Sequence, residues 1–140
     1  MTVTVTRTDV WAASIADQAG GLAGKLTPLA DAGAQLEFVI SRRAPEKPGT
    51  GVVFVAPLKG AAQLKAAKAA GFEKKANMHS LRIEGPDKPG LGAKLTSALA
   101  QAGINLRGLS AAALGKRYVM YLALDTAADA SKAMRVLKGL

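Results

Sequence analysis

The feature that most constrains this chain is an internal repeat. When the sequence is shifted by 70 positions, residues 16–36 align on residues 86–106 without a gap. The two segments read ADQAGGLAGKLTPLADAGAQL and PDKPGLGAKLTSALAQAGINL, and they share an aspartate and two glycines at the same spacing. Self-similarity at a fixed period indicates one structural unit built more than once. The chain is therefore predicted to contain two copies of one small module.

Each half shows the same order of predicted elements. An alternating apolar stretch, residues 10–15 in the first half and 80–84 in the second, predicts a strand. A turn with Asp and Gly follows, then a helix that ends at Gly33 or Gly103, two strands and an alanine- and lysine-rich helix. This βαββαβ order predicts an α+β fold: two ferredoxin-like modules, each with an antiparallel sheet and helices on one face. The predicted helices span 21–32, 59–70, 91–102 and 127–138, and the strands after the first helices span 35–41 and 105–111.

The predicted modules cover residues 1–77 and 78–140. The second one ends a strand short, because Gly139-Leu140 corresponds to Gly71-Phe72, where the first begins a final strand over residues 72–77. The N-terminus carries an extra alternating stretch, TVTVTR. One hypothesis is that residues 2–7 supply the missing strand of the second module and cover its open edge. The alternative is a long first strand or a hairpin with a frayed end.

Composition argues against several classes of chemistry. The chain has no cysteine, which excludes disulfides, thiolate metal sites and thiol nucleophiles, and its single histidine, His79, leaves little room for histidine-based metal or triad chemistry. We expect no catalytic residues, no metal and no cofactor, and hence no enzyme. No apolar run reaches the roughly 18 residues that cross a bilayer, and the alternating N-terminus does not resemble a secretory signal. A cytoplasmic location with no membrane partner is predicted.

The net charge of +9 favours anionic partners, but the basic residues are scattered and their densest clusters are pairs. The RNA-recognition module shares the βαββαβ order and needs stacking aromatic residues on its central strands. Aromatic residues make up only 4% of this chain. RNA binding is therefore the weakest of the functions considered.

The second half resembles the ACT domain, a βαββαβ regulatory module. Its Asp87-Lys88-Pro89-Gly90, a helix and then Gly103-Ile104-Asn105-Leu106 match the family pattern D-x-P-G, about 12 residues and G-I-N-[IL]. The first half matches less well, with Ala19 in the place of the proline and Gly33-Ala34-Gln35-Leu36 in the second motif. The resemblance covers nearly the whole chain as tandem copies. It implies a free-standing regulatory protein that acts allosterically, a homodimer, and a regulated enzyme or transcription factor as partner.

The resemblance also implies an amino acid or similar small metabolite as effector, bound at interfaces between modules. A glycine at a helix entrance lets the backbone approach a ligand, and helix N-terminal N–H groups can hold its carboxylate. An aspartate could accept from the ammonium group, or it could simply cap the helix. The ligand-binding residues implied are Asp17, Gln18, Gly20, Gly21, Leu22, Gln35, Asp87, Lys88, Gly90, Leu91 and Asn105. The alternative function is a ligand-free module that dimerises and regulates a partner.

Overall fold

The structure, a computed structural model, describes residues 2–140, and its chain divides into two compact units. The first unit comprises residues 9–75, and the second comprises residues 76–140 with the N-terminal segment up to Thr8. The elements are β1 (Thr4–Thr8), β2 (Trp11–Ala16), α1 (Gly21–Asp31), β3 (Phe38–Arg43), β4 (Thr50–Ala56), α2 (Gly60–Ala69), β5 (His79–Pro86), α3 (Leu91–Gln101), β6 (Gly108–Leu114), β7 (Arg117–Leu124) and α4 (Ala127–Lys138).

The first unit is a three-stranded antiparallel sheet in the order β2-β4-β3 with helices α1 and α2. Residues at every second position of β2 and β4 turn to one face, because side chains alternate along a strand. On that face Ala13, Val53 and Val55 form a buried cluster with Leu29 of α1 and Ala67 of α2. Phe72, just after α2, completes this cluster at 2% exposure.

The predicted strand over residues 72–77 is wrong. Only Glu73 pairs with the sheet, through an isolated antiparallel bridge in which it and Ala12 exchange two backbone hydrogen bonds of 2.8 Å. Phe72 is anchored in the core, but the residues that follow, KKAN, are polar or small and exposed. They have no large apolar side chain to bury against the helices, so the ladder stops after one residue pair.

The second unit has a four-stranded antiparallel sheet in the order β1-β5-β7-β6 with helices α3 and α4. Strand β1 lies at the edge beside β5, with register partners running from Thr4–Glu84 to Thr8–Ser80. Val5 is 4% exposed and belongs to the core. The other buried members of this cluster come from β5, β7, α3, α4 and the segment after α3. The N-terminal segment is therefore an integral strand of this sheet.

The predicted helices agree with the observed ones to within one residue at either end. Strands β3 and β6 begin three residues later than predicted, at Phe38 and Gly108. The residues before them belong to the turn that ends each helix, where Ala34 and Ile104 donate back to the carbonyl oxygens of Leu29 and Leu99 at 3.0 Å. This turn uses the residues that the apolar pattern assigned to the strand. The predicted α+β class with helices and antiparallel sheets is the one observed.

Candidate functional site

The loop before the first helix is held in the same way in both units. The Asp17 N–H donates to the carbonyl oxygen of Gly49 at 3.0 Å, and the Asp87 N–H donates to that of Lys116 at 2.8 Å. The first loop is thereby attached to the connection between β3 and β4, and the second loop to the turn between β6 and β7. The helix-capping residues, Gly20 and Gly90, have φ angles of 85° and 80°. Glycine adopts these left-handed conformations without steric cost.

Both helices begin with unpaired backbone donors. The first N–H of each helix is satisfied, since Gly21 donates to Gln18 at 3.0 Å and Leu91 donates to Lys88 at 3.2 Å. Within residues 2–140, no acceptor receives the next two N–H groups, which belong to Leu22 and Ala23 in α1 and to Gly92 and Ala93 in α3. Unpaired N–H groups and the helix dipole together favour an anion at this position.

The two aspartates differ in their surroundings, and neither caps its helix, since no side chain accepts a capping hydrogen bond in α1 or α3. The Asp17 carboxylate accepts from Arg43 Nε at 2.9 Å. The Asp87 carboxylate makes no hydrogen bond or ion pair anywhere in the described part of the chain. The second unit thus presents a free carboxylate beside free N–H groups, and the first unit presents a neutralised carboxylate.

The remaining predicted residues of the two loops contribute in different ways. Gln18 and Lys88 are exposed, and their carbonyl oxygens are used by the helix starts. The side chain of Leu91 is 2% exposed and lies in the core, and Leu22 packs half-buried against the core of the first unit. These leucines therefore shape the loops from inside and offer no polar group to a ligand.

The structure does not bring Gln35 or Asn105 to the loop of its own unit. Each follows the far end of an 11-residue helix, which is about 16 Å long at 1.5 Å per residue. Asn105 is exposed, and Gln35 lines a shallow cavity of about 130 Å³. The other residues that line this cavity are Gly33, Glu37, Pro57, Lys59 and Gln63.

Tyr118 is a residue near the loop that the sequence did not single out. A Cβ atom built on Gly92 would lie 3.0 Å from the Tyr118 hydroxyl, so this oxygen sits over the first turn of α3. Burial raises the pKa of Tyr118, and the negative charge of Asp87 raises it further. Tyr118 lies on β7, 31 residues after Asp87 in the chain. No local sequence signal connects the two.

A charged cluster lies on the opposite face of the same sheet. Glu84 accepts from Arg82 at 2.7 Å and from Arg117 at 2.9 Å. The hydrogen bonds from Arg82 and then Arg117 hold the pKa of Glu84 below its ordinary value. Thr6 and Tyr121, the partners of Arg82 on the two neighbouring strands, share this face. The cluster ties β5 to β7 and leaves the loop at Asp87 untouched.

Among residues 2–140, no group of three or more histidine, cysteine, aspartate or glutamate side chains is placed to hold a metal ion. None of the helices in this part of the chain is long and apolar enough to cross a bilayer.

Comparison with known proteins identifies the second half of the chain. A family model, that of the ACT domain, matches residues 79–140. This half of the chain is an ACT domain. The resemblance predicted from the sequence is thereby confirmed, and the ACT domain is a regulatory module rather than a catalytic one. No curated protein sequence matches the chain significantly.

Solved structures with a similar fold cover both units of this chain. A protein from Bacteroides thetaiotaomicron superimposes with a TM-score of 0.79 at 18% identity over 96% of this chain and 89% of its own. The regulatory subunits of aspartate kinase from Thermus thermophilus and Thermus flavus give TM-scores of 0.65 and 0.61 at 20% and 19% identity. Each covers 98% of this chain and 95% of its own. At these identities the likeness shows a shared fold.

Proposed function

We propose that this chain is a non-catalytic regulatory protein that binds an amino acid or a similar small metabolite. The observation that carries the proposal is the loop of residues 87–93 in the ACT domain. It combines two unpaired N–H groups at the start of α3 with the free carboxylate of Asp87. An amino acid carries a carboxylate and an ammonium group a few ångströms apart, which this arrangement of donors and acceptor complements.

The fold shared with regulatory subunits of aspartate kinase supports the same reading. The regulated partner of this chain is proposed to be an enzyme or a transcription factor carried on another chain. Ligand binding would act by favouring one arrangement of modules over another. This requires a difference in the ligand's affinity for the two arrangements.

A homodimer is proposed through the edge strand β6. Its sequence, GLSAAAL, contains no charged residue, whereas edge strands usually carry charges that prevent pairing. Leu109 and Leu114 on this strand are 42% and 86% exposed. A second copy of β6 paired antiparallel would cover these side chains and satisfy the backbone groups along the edge.

Such a dimer would also complete the ligand site. Asn105 lies three residues before the start of β6, and Asp87 lies at the opposite end of the strand, beside the turn at Lys116. When two copies of one strand pair antiparallel, the start of one lies beside the end of the other. Asn105 of one copy would therefore approach the loop at Asp87 of its partner, which accounts for the separation of these residues within one unit.

A thermal-shift panel of the twenty amino acids, each at millimolar concentration, tests the ligand proposal. A ligand present at 100 times its Kd adds about 2.7 kcal/mol, a shift of several degrees for a chain of this size. One clear hit supports the proposal, and the matched D-enantiomer controls for non-specific effects. A flat panel would contradict it and favour the ligand-free regulatory module.

Light scattering after size exclusion tests the dimer. We expect a dimer for the natural chain and a monomer for Ala112→Lys, which places a charge in the middle of β6. Ala62→Lys on the exposed surface of α2 adds the same charge elsewhere and should leave the dimer intact. A natural chain that elutes as a monomer at micromolar concentration would contradict the dimer.

A further inference from the structure

In each unit a large side chain of the sheet lies near the loop before the first helix, but the two units supply it from different strands. In the second unit Tyr118 on β7 is paired with Gly85 on β5. At the corresponding pair of the first unit the sizes are reversed, with Ile15 on β2 facing Gly51 on β4. A Cβ on Gly51 would lie 2.7 Å from the backbone oxygen of Arg42 and 3.1 Å from Ile15, and the glycine therefore makes room for both. One unit places a phenol near its loop, and the other places an aliphatic side chain.

The phenol reaches the loop because α3 has a glycine where α1 has a leucine. Gly92 corresponds to Leu22 in the repeat, and the Tyr118 hydroxyl lies close to the place that a Cβ of Gly92 would occupy. Tyr118 also feels the charge of Asp87, which raises its pKa. The hydroxyl, the Asp87 carboxylate and the free N–H groups of Gly92 and Ala93 therefore belong to one small region of the second unit.

The corresponding region of the first unit has no hydroxyl in the place of Tyr118, and its carboxylate is already paired. The Asp17 carboxylate is engaged by Arg43, and Leu22 and Ile15 contribute only carbon atoms. Its unpaired N–H groups alone remain. The two loops, alike in backbone, thus differ in the polar side chains that could recognise an ammonium or a carboxylate group.

We propose that Tyr118 is a ligand-binding residue that distinguishes the two loops, so that the loop at residues 87–93 binds the ligand while the loop at residues 17–23 does not. The Tyr118 hydroxyl donates to the ligand carboxylate beside the α3 N-terminus, and Asp87 accepts from the ligand ammonium group. The ligand class is therefore an α-amino acid, and a 2-oxo or 2-hydroxy acid with the same side chain is rejected. This inference rests on the proposed function.

Isothermal titration with the amino acid identified by the thermal-shift panel tests the inference. Tyr118→Phe should weaken binding at least about tenfold, as expected for loss of a hydrogen bond to a charged group. Gly92→Ala should also weaken it, since the added carbon lies 3.0 Å from the hydroxyl and displaces it. Gly24→Ala on α1, where a Cβ meets nothing within 4 Å, is the matched control and should leave the affinity unchanged. We expect one ligand per chain and no binding of the deaminated acid.

The outcomes separate this inference from the function on which it rests. If the natural chain binds an amino acid and Tyr118→Phe binds it equally well, or two ligands bind per chain, the inference is wrong and the proposed function stands. If no amino acid binds, both are wrong.

A second measurement needs no ligand. In a Tyr121→Phe background, which leaves Tyr118 as the one tyrosine of the sequence, the absorbance of ionised tyrosine during an alkaline titration reports the pKa of Tyr118. Asp87→Asn should lower this pKa, because it removes the neighbouring negative charge. Asp125→Asn removes a charge that interacts with Arg107 instead and should leave the titration unchanged. A titration that is the same in this background with and without Asp87→Asn would show that the two groups are not close, and the inference would fail.

Discussion

Removal of residues 1–7 should destabilise the second unit while leaving the first unit folded. Strand β1 contributes one side of the sheet in the second unit, and Val5 is buried there at 4% exposure opposite Ile83. The ladder hydrogen bonds of β1 contribute about 1 kcal/mol each, and ordering the backbone costs about as much per residue, so these two terms roughly cancel. The buried apolar surface then decides the outcome.

The magnitude follows from the two valines of the segment. Full burial of Val5 contributes about 2 kcal/mol and partial burial of Val3 about 1 kcal/mol, so the deletion should lower the free energy of unfolding of the second unit by about 3 kcal/mol. Val5→Ala alone removes two buried carbons and should cost about 2 kcal/mol. Thr4→Ala changes an exposed side chain on the same strand and is the matched control, with an effect below about 0.5 kcal/mol.

Hydrogen exchange with peptide-level resolution measures each unit separately. A loss of about 3 kcal/mol accelerates the slowest exchange in β5 and β7 by roughly a hundredfold, while exchange in β2 and β4 stays unchanged. Fluorescence of Trp11, the only tryptophan, reports the first unit in the same samples. Unchanged exchange in β5 and β7 after the deletion would refute the role of β1 as a structural strand.

Three further predictions concern stability. Glu84→Gln should destabilise the chain at neutral pH and have no effect in acid, and denaturation at a series of pH values measures this difference. The pKa of the Glu84 carboxylate is lowered in the folded state, so its contribution to stability is present above the unfolded value of 4.5 and is lost as the pH falls through the lower folded value. Gly21→Ala should lower the free energy of unfolding by several kcal/mol, because its Cβ would lie 2.1 Å from the backbone oxygen of Ala16, whereas Gly24→Ala should raise it by up to about 1 kcal/mol. Urea denaturation of the two variants measures this difference, and equal changes in the free energy of unfolding would contradict the prediction. Pro28→Ala should raise the free energy of unfolding by about 1–3 kcal/mol, since proline inside α1 removes a helical hydrogen bond, and an unchanged or lower midpoint would show that the helix already accommodates the ring.

Much of the fold could be predicted because its signals are local. The glycines that end α1 and α3 and the apolar periodicity before them defined both helices to within one residue. The predicted strand after α2 failed because one anchored residue, Phe72, was taken as the start of a longer pattern. The residues after such an anchor continue to pair with the neighbouring strand only if they carry apolar side chains that can be buried. Short or charged side chains do not provide this.

The candidate site was predictable only in part. The loops at Asp17 and Asp87 were found because their aspartates and glycines recur at a fixed spacing along the chain. The charge partner of Asp17 lies 26 residues away on Arg43, and Tyr118 reaches the other loop from β7. Contacts of this kind depend on strand register, which brings residues that are distant in the sequence close together. The spacing of residues within either loop does not indicate them.

By itself the sequence determined that this protein is built from two modules that share the order strand, helix, strand, strand, helix, and that the first helix of each follows a turn with Asp and Gly and ends beside a glycine. Those features depend on backbone conformation and side-chain periodicity, which short segments encode. Only the tertiary structure decided that β1 pairs with β5 across more than 70 residues of chain, and that one of two similar loops keeps its carboxylate free. Both outcomes depend on which strand edges and which charged side chains lie next to each other in the folded chain. The energy of such pairs depends on their distance in space and not on their separation in the sequence.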